Sequence, residues 1–122
     1  HLQDAVGDKD FTINAPSDIK DTSPESLCKL HLPIADFVKA TLADKAVPIS
    51  IAGDCMASLP VMAGIQSSNI DSILVWLDAH GDFNTPQTSP SGFLGGMPLV
   101  MLVGRGEGDI AHGCGLKKKT CG

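Results

Sequence analysis

Hydrophobic positions along the chain predict helices that alternate with short strands. Between residues 30 and 42, apolar side chains recur in steps of three and four, as in an amphipathic helix. Residues 56–65 form a second helical candidate, in which Pro60 is tolerated because it lies in the first turn. A short helix is also expected to begin with Ser23 as N-cap and Pro24 at the first helical position.

Two other short runs are apolar, residues 48–52, apart from Ser50, and residues 73–77. Continuous apolar runs predict strands that are covered on both faces, so the order helix, strand, helix, strand predicts an α/β fold with a parallel sheet. In such sheets ligands bind beyond the carboxyl ends of the strands, which are residues 53–55 and 78–82 here. Residues 98–103 fit a helix or a strand, and the chain is expected to be loose after about Gly104.

Composition indicates a single domain and argues against nucleic-acid and membrane partners. The 122 residues carry 14 acidic and 9 basic side chains, a net charge of −5, with 43% hydrophobic residues. We expect an irregular acidic segment at residues 1–26, a core at 27–104 and a Gly/Lys-rich tail at 105–122. The acidic balance argues against nucleic-acid binding, and the apolar runs are too short to cross a membrane. Because the sequence shows no signal-peptide pattern, a cytoplasmic location is expected.

The four cysteines, which include Cys55, show no CxxC pair, so free thiols are expected. Two alternatives remain open for them. One is a zinc site formed by His112, Cys114 and Cys121, although their spacing is irregular. The other is a nucleophilic Cys55 paired with His80, for which no local pattern supplies a base and an orienting group.

The most informative residues follow the second predicted strand. On an extended chain Asp78, His80 and Asp82 would point to one side. Two carboxylates beside a hydrophobic run are costly unless a cation or hydrogen-bond donors offset their charge. Carboxylates with one imidazole suit Mn²⁺, Fe²⁺ or Zn²⁺. The alternative is structural: Asp78 caps a turn, while His80 and Asp82 form ordinary loop hydrogen bonds.

Three segments carry a family resemblance. LVWLDAHGD at residues 74–82, FNTPQTSPSGFLGGMPL at 83–99 and IAGDCMASLP at 51–60 resemble signatures of the ureohydrolases, the family of arginase, agmatinase and formiminoglutamase. The resemblance extends over residues 30–106 and implies a three-layer helix/parallel-sheet/helix sandwich, present here in part. It also implies a metal-dependent hydrolase that cleaves a guanidino or formimino C–N bond.

The resemblance also implies a site. Asp78 is similar to a carboxylate that bridges two Mn²⁺ ions, His80 and Asp82 to ligands of one ion each, and Cys55 stands at the place of a histidine ligand. In the family, the two ions share a hydroxide that attacks the guanidinium carbon, and Asp82 is accordingly assigned a catalytic role. Asn84 and Ser91 resemble residues that hold the amino-acid end of arginine. The implied partner is a small guanidino or amidino compound.

This chain departs from the family pattern in several places. Besides Cys55 in place of histidine, Gly95 replaces a histidine that shuttles protons and Phe93 replaces a polar substrate contact. The later motif SxDxDxxDP is absent, since the only acids after Asp82 are Glu107 and Asp109. The chain thus resembles a truncated, N-terminal half of a ureohydrolase. A half-sheet would expose a strand edge, which predicts a homo-oligomer, and the alternative function is a noncatalytic structural or oligomerisation module.

Overall fold

The computed structural model describes residues 23–106 and 108–117, which form four α-helices and two short 3₁₀ turns. The helices are α1 (Pro24–Ala43), α2 (Ser58–Ser67), α3 (Pro98–Leu102) and α4 (Gly108–Gly113), and the 3₁₀ turns are Cys55–Ala57 and Leu94–Gly96. Residues 1–22 of the predicted irregular segment lie outside the described residues, and so do Glu107 and Cys121. No helix in the described part of the chain is long and apolar enough to cross a membrane.

Helix α1 merges the two helices that the sequence predicts before residue 43. Its N-cap is Ser23, whose hydroxyl oxygen accepts a hydrogen bond from the backbone N–H of Ser26 at 3.3 Å, and Pro24 is at the first helical position, both as predicted. Since this cap begins the helix at Pro24, Pro33 lies in the interior of the helix. The N-terminal cap and the amphipathic stretch therefore belong to one helix.

Helices α1 and α2 are packed tightly against each other at Gly64. A Cβ atom at this position would lie 2.6 Å from the carbonyl oxygen of Ala35 and 2.7 Å from the Cβ of Val38. Only the absence of a side chain lets the two backbones approach so closely. Around this contact lies the core of the described chain, in which the most deeply buried large side chains include Leu59, Met97 and Leu102.

The C-terminal part of the described chain packs against the core, so the expectation of a loose tail after Gly104 is wrong for residues 108–116. Ile110, Cys114 and Leu116 are buried. The Sγ atom of Cys114 lies 2.9 Å from Nδ1 of His31, a buried side chain on α1. Burial is the main cause that lowers the pKa of His31, with Asp54 acting in the opposite direction, and burial raises the pKa of Cys114 to about 12.

The two predicted strands form neither a helix nor a β-ladder among residues 23–106 and 108–117. The expectation that both of their faces are buried is also wrong for these residues. Leu74 and Trp76 pack against the helical core, whereas Ile73 and Leu77 are 92% and 91% exposed. The physical reason is that helices cover only one face of segment 73–77. The parallel sheet and its outer helical layer stay predictions, as does the division into segments.

Candidate metal centre

Cys55 is positioned by the 3₁₀ turn that follows residues 48–52. The side chain of Asp54 caps this turn by accepting a hydrogen bond from the N–H of Met56 at 2.9 Å. The hydroxyl of Ser58 donates to the carbonyl oxygen of Cys55 at 2.7 Å. Met56 is buried in the core and anchors the turn. The backbone of Cys55 is therefore held by local hydrogen bonds on both sides of it.

Asp78 is held at the end of segment 73–77 by two neighbours. Its Oδ1 accepts hydrogen bonds from the backbone N–H of His80 at 2.8 Å and from Nδ1 of His80 at 3.2 Å. Its Oδ2 accepts a long hydrogen bond of 3.5 Å from the thiol of Cys55. The backbone bond from His80 is the largest cause that lowers the pKa of Asp78, followed by the bond from Cys55. This carboxylate consequently stays ionised at neutral pH.

Asp82 is the buried member of the site. Its carbonyl oxygen accepts hydrogen bonds from the N–H groups of Leu99 at 3.1 Å and Val100 at 3.4 Å, at the start of α3. This arrangement places Asp82 in the left-handed region, with φ of 46°, which aspartate tolerates better than most residues. The residue is 6% exposed, and its Oδ2 has no hydrogen-bond partner. An unpaired buried carboxylate oxygen is rare and calls for a compensating group.

Cys55, Asp78 and Asp82 come together in space. The ligand atoms of the three side chains all lie within 4.8 Å of one another. Two carboxylates and a thiol form a donor set that a divalent cation can share, and a cation would supply the partner that Asp82 Oδ2 lacks. The residues present therefore fit a divalent metal ion. We call this group the Cys/Asp/Asp cluster.

The electrostatics of the cluster disfavour a free thiolate. The pKa of the Cys55 thiol is raised to about 11; the largest cause is its hydrogen bonding with the Asp82 carboxylate, followed by burial, by hydrogen bonding with Asp78 and by the charges of both carboxylates. At neutral pH the thiol is protonated and a poor nucleophile. This argues against the alternative in which Cys55 is the nucleophile of a cysteine enzyme. A bound dication would reverse the effect, because it attracts the thiolate that the carboxylates repel.

His80 lies beside the Cys/Asp/Asp cluster rather than within it. Its side chain is 84% exposed, and its Nδ1 lies 3.2 Å from Oδ1 of Asp78. The chain bends at residues 79 and 80 instead of continuing as an extended strand, so alternation along a strand does not bring the cluster together. The assignments of His80 and the three cluster residues as metal ligands, and of Asp82 as catalytic, stay predictions.

Asn84 and Ser91 lie on the exposed loop that precedes α3. The backbone N–H of Asn84 donates to the carbonyl oxygen of Gly96 at 3.1 Å, which holds the loop against the second 3₁₀ turn. The Asn84 side-chain oxygen accepts from Thr88 at 3.3 Å, and the Ser91 hydroxyl oxygen accepts from the N–H of Phe93 at 3.3 Å. Both side chains keep a donor hydrogen for a ligand, an amide N–H and a hydroxyl respectively. Their role in substrate binding stays a prediction.

Sequence reasoning missed Asp54, which fixes the turn that carries Cys55. The available signal was an aspartate directly before a helical segment, a typical N-cap position. It also missed the contact between His31 and Cys114, for which the sequence gives no signal, since the two residues lie 83 positions apart.

Comparisons with known proteins agree with these features. The sequence profile of the Arginase family matches residues 3–118. Arginase from Bacillus subtilis is 30% identical over 123 residues, which cover 92% of this chain and 42% of that protein. The N(omega)-hydroxy-L-arginine amidinohydrolase of Streptomyces lavendulae is 40% identical over 63 residues, 52% of this chain and 22% of that protein.

Two crystal structures have a similar fold. Arginase from Bacillus subtilis superimposes with a TM-score of 0.75 at 29% identity, over 98% of this chain and 42% of that structure. Arginase from Bacillus cereus gives a TM-score of 0.72 at 27% identity, over 81% of this chain and 34% of that structure. The chain thus spans less than half the length of these relatives. The match over nearly all of its residues shows that the fold is the α/β fold of arginases and that the chain belongs to the arginase family.

Proposed function

We propose that this chain supplies a divalent-metal site for hydrolysis of the C–N bond of a guanidino or amidino compound. The observation that carries the proposal is the Cys/Asp/Asp cluster with the buried, unpaired Oδ2 of Asp82. Two similar proteins are named an arginase and an N(omega)-hydroxy-L-arginine amidinohydrolase, which supports a guanidino substrate. Mn²⁺ is the ion that the resemblance implies, and one or two ions are proposed.

The chain's own residues would divide the work as follows. Asp78, Asp82 and Cys55 would hold the ion, with His80 as a further ligand. A bound divalent ion lowers the pKa of its water toward neutrality and so supplies the nucleophile for hydrolysis. The hydrogen bonds from His80 orient the Asp78 carboxylate, and the carbonyl contacts with α3 fix the backbone of Asp82. Because ligand geometry controls metal binding, these contacts are part of the site.

Asn84 and Ser91 would bind the other end of the substrate. The donor hydrogens that both side chains retain are suited to the carboxylate of an amino acid. A substrate with an amino-acid carboxylate, such as arginine, would therefore accept hydrogen bonds from both residues, whereas a decarboxylated substrate such as agmatine would not. If the proposal holds, Asn84→Ala raises KM for arginine more than for agmatine in an assay of urea release.

The direct test is a Mn²⁺ titration by calorimetry on chelator-treated protein. Binding of one or two ions per chain, lost in Asp78→Asn, is the expected result. Binding that Asp78→Asn leaves unchanged would refute this site, and absence of Mn²⁺ binding would refute the assignment of Mn²⁺ as its ion. Urea release from arginine and agmatine, measured with and without the ion, then tests the hydrolase activity separately.

A second candidate is a noncatalytic module for self-association. The observation in its favour is the exposed apolar surface along residues 47–51 and 73–77, which we call the strand surface; its members are Val47, Ile49, Ile51, Ile73, Val75 and Leu77. Among the residues that the structure describes, the backbone of these segments has no β-ladder partner, and together with exposed apolar side chains this favours pairing with another copy. Sedimentation velocity should show a dimer or larger species that Ile73→Lys with Leu77→Lys dissociates. A monodisperse wild-type monomer would exclude this candidate.

A further inference from the structure

The chemistry of Cys55 distinguishes this site from one built of carboxylate and imidazole alone. The thiol is within 4.8 Å of carboxylate oxygens from both aspartates and hydrogen-bonds to Asp78 Oδ2 at 3.5 Å. A cation placed among the carboxylates would therefore meet the sulfur as well. No rearrangement of the backbone is needed, because the turn around Cys55 is already fixed by Asp54 and Ser58.

A second feature shows that one carboxylate oxygen of the cluster lacks a partner. Asp82 is 6% exposed, and its Oδ2 accepts no hydrogen bond from any described residue. Elsewhere in the site, the polar groups are satisfied: Asp78 accepts from both His80 and Cys55. An oxygen with this burial is stabilised by a cation rather than by solvent.

We infer that Cys55 is a thiolate ligand of the ion and that it makes the site select thiophilic ions, Zn²⁺ and Co²⁺, over Mn²⁺. Sulfur is a soft donor, and Mn²⁺ is a hard ion that binds weakly at the start of the divalent series. A thiolate adds to Zn²⁺ binding far more than to Mn²⁺ binding, so the ratio of the two affinities depends on Cys55. The inference rests on the proposed function, since it concerns the same site.

The wild-type chain can be tested directly with Co²⁺, whose bonds to thiolate sulfur give intense charge-transfer absorption in the near ultraviolet. Chelator-treated protein titrated with Co²⁺ should develop this band with the same stoichiometry as binding. Cys55→Ser keeps the size of the side chain and should remove the band. Cys28→Ser is the matched control, because Cys28 is also a partly buried free thiol but lies against Gly113 on the α1 side of the core. This control should keep the band.

Affinities provide the second readout and do not require activity. In competition titrations, Cys55→Ser should weaken Zn²⁺ binding at least about tenfold and change Mn²⁺ binding by less than about threefold. Cys55→His, which supplies a borderline nitrogen donor, should shift the ratio of the two affinities toward Mn²⁺. The Co²⁺ spectrum of the wild type stays informative if either variant fails to fold.

The outcomes separate this inference from the proposed function. Co²⁺ binding without a charge-transfer band, or an unchanged ratio of Zn²⁺ to Mn²⁺ affinity in Cys55→Ser, would overturn the role of Cys55 and leave the metal-dependent function standing. Failure of Zn²⁺, Co²⁺ and Mn²⁺ to bind the wild type would overturn both. A band that is lost only in Cys55→Ser, with the expected change in affinities, supports the inference.

Discussion

Replacing Asp82 by asparagine should stabilise the metal-free protein and abolish its response to metal. The substitution changes almost nothing but the charge. Asparagine has nearly the same shape and also tolerates the φ of 46° at this position. The bonds that Leu99 and Val100 donate to residue 82 end on its backbone carbonyl, so they do not depend on the side chain.

The magnitude follows from the buried, unpaired Oδ2. A buried polar group without a partner costs about 1–3 kcal/mol, and more when it is charged. Asparagine removes the charge but leaves an amide that also needs partners, so only part of this cost is recovered. We expect the free energy of unfolding to rise by about 1 kcal/mol, equivalent to an increase in Tm of about 4 °C for a domain of this size.

The assay is thermal and urea unfolding of both proteins after chelator treatment and again with Zn²⁺. At a concentration about 100 times its Kd, a bound ion adds about 2.7 kcal/mol to the stability of the wild type. The variant, which lacks one ligand, should gain little. The order of stability is thus expected to reverse when the ion is added. A variant that is less stable than the metal-free wild type, or equally stabilised by Zn²⁺, would refute the reasoning.

Asp78→Asn is the matched control, since it removes the same charge from the same cluster. The Asp78 side chain is 24% exposed and already accepts hydrogen bonds from His80. Those bonds lower the pKa of Asp78, so its ionised form stabilises the fold. Asp78→Asn should therefore destabilise the metal-free protein, opposite in sign to Asp82→Asn. Both variants should lose metal binding.

Three further predictions concern packing and protonation. Gly64→Ala should destabilise the protein by about 1–3 kcal/mol in urea unfolding, because its Cβ would lie 2.6 Å from a backbone oxygen of α1, whereas Gly108→Ala has open space and should be neutral. The rate of alkylation of Cys55, followed by peptide mass spectrometry, should rise about tenfold per pH unit from pH 8 to pH 10, since the pKa of the thiol is about 11. In Asp78→Asn the rise in rate should occur at lower pH, because one group that raises the thiol pKa is removed. A rate that levels off at pH 9 in the wild type would contradict this pKa. Because burial lowers the pKa of His31 from its ordinary 6.5, the unfolded chain binds a proton that the folded chain does not, so stability should fall as the pH drops below 6.5; an unchanged pH dependence in His31→Gln would contradict this.

Local signals in the sequence predict helices α1 and α2 well and the exposure of segments 48–52 and 73–77 poorly. The cap at Ser23 and the proline after it are interactions between near neighbours, so the start of α1 follows from a few residues. The apolar run at residues 73–77 indicates an extended segment in the same way, but whether both of its faces are covered depends on elements distant in sequence. The helix at Gly108–Gly113 was missed because its glycine-rich sequence has weak helix propensity, and packing of Ile110 against the core overrides that weakness.

The sequence by itself determined the family motifs, the donor types and the positions of the first two helical regions, since each is a property of residues close together in the chain. Only the tertiary structure decided which donors meet. Cys55 and Asp78 lie 23 positions apart, and they come within hydrogen-bond distance through the packing of a 3₁₀ turn beside an extended segment. Asp82 is buried because its carbonyl caps α3, whereas His80, two residues earlier, is left in solvent. The spacing of Asp82 and His80 in the sequence does not distinguish their environments, whereas long-range packing buries one side chain and leaves the other exposed.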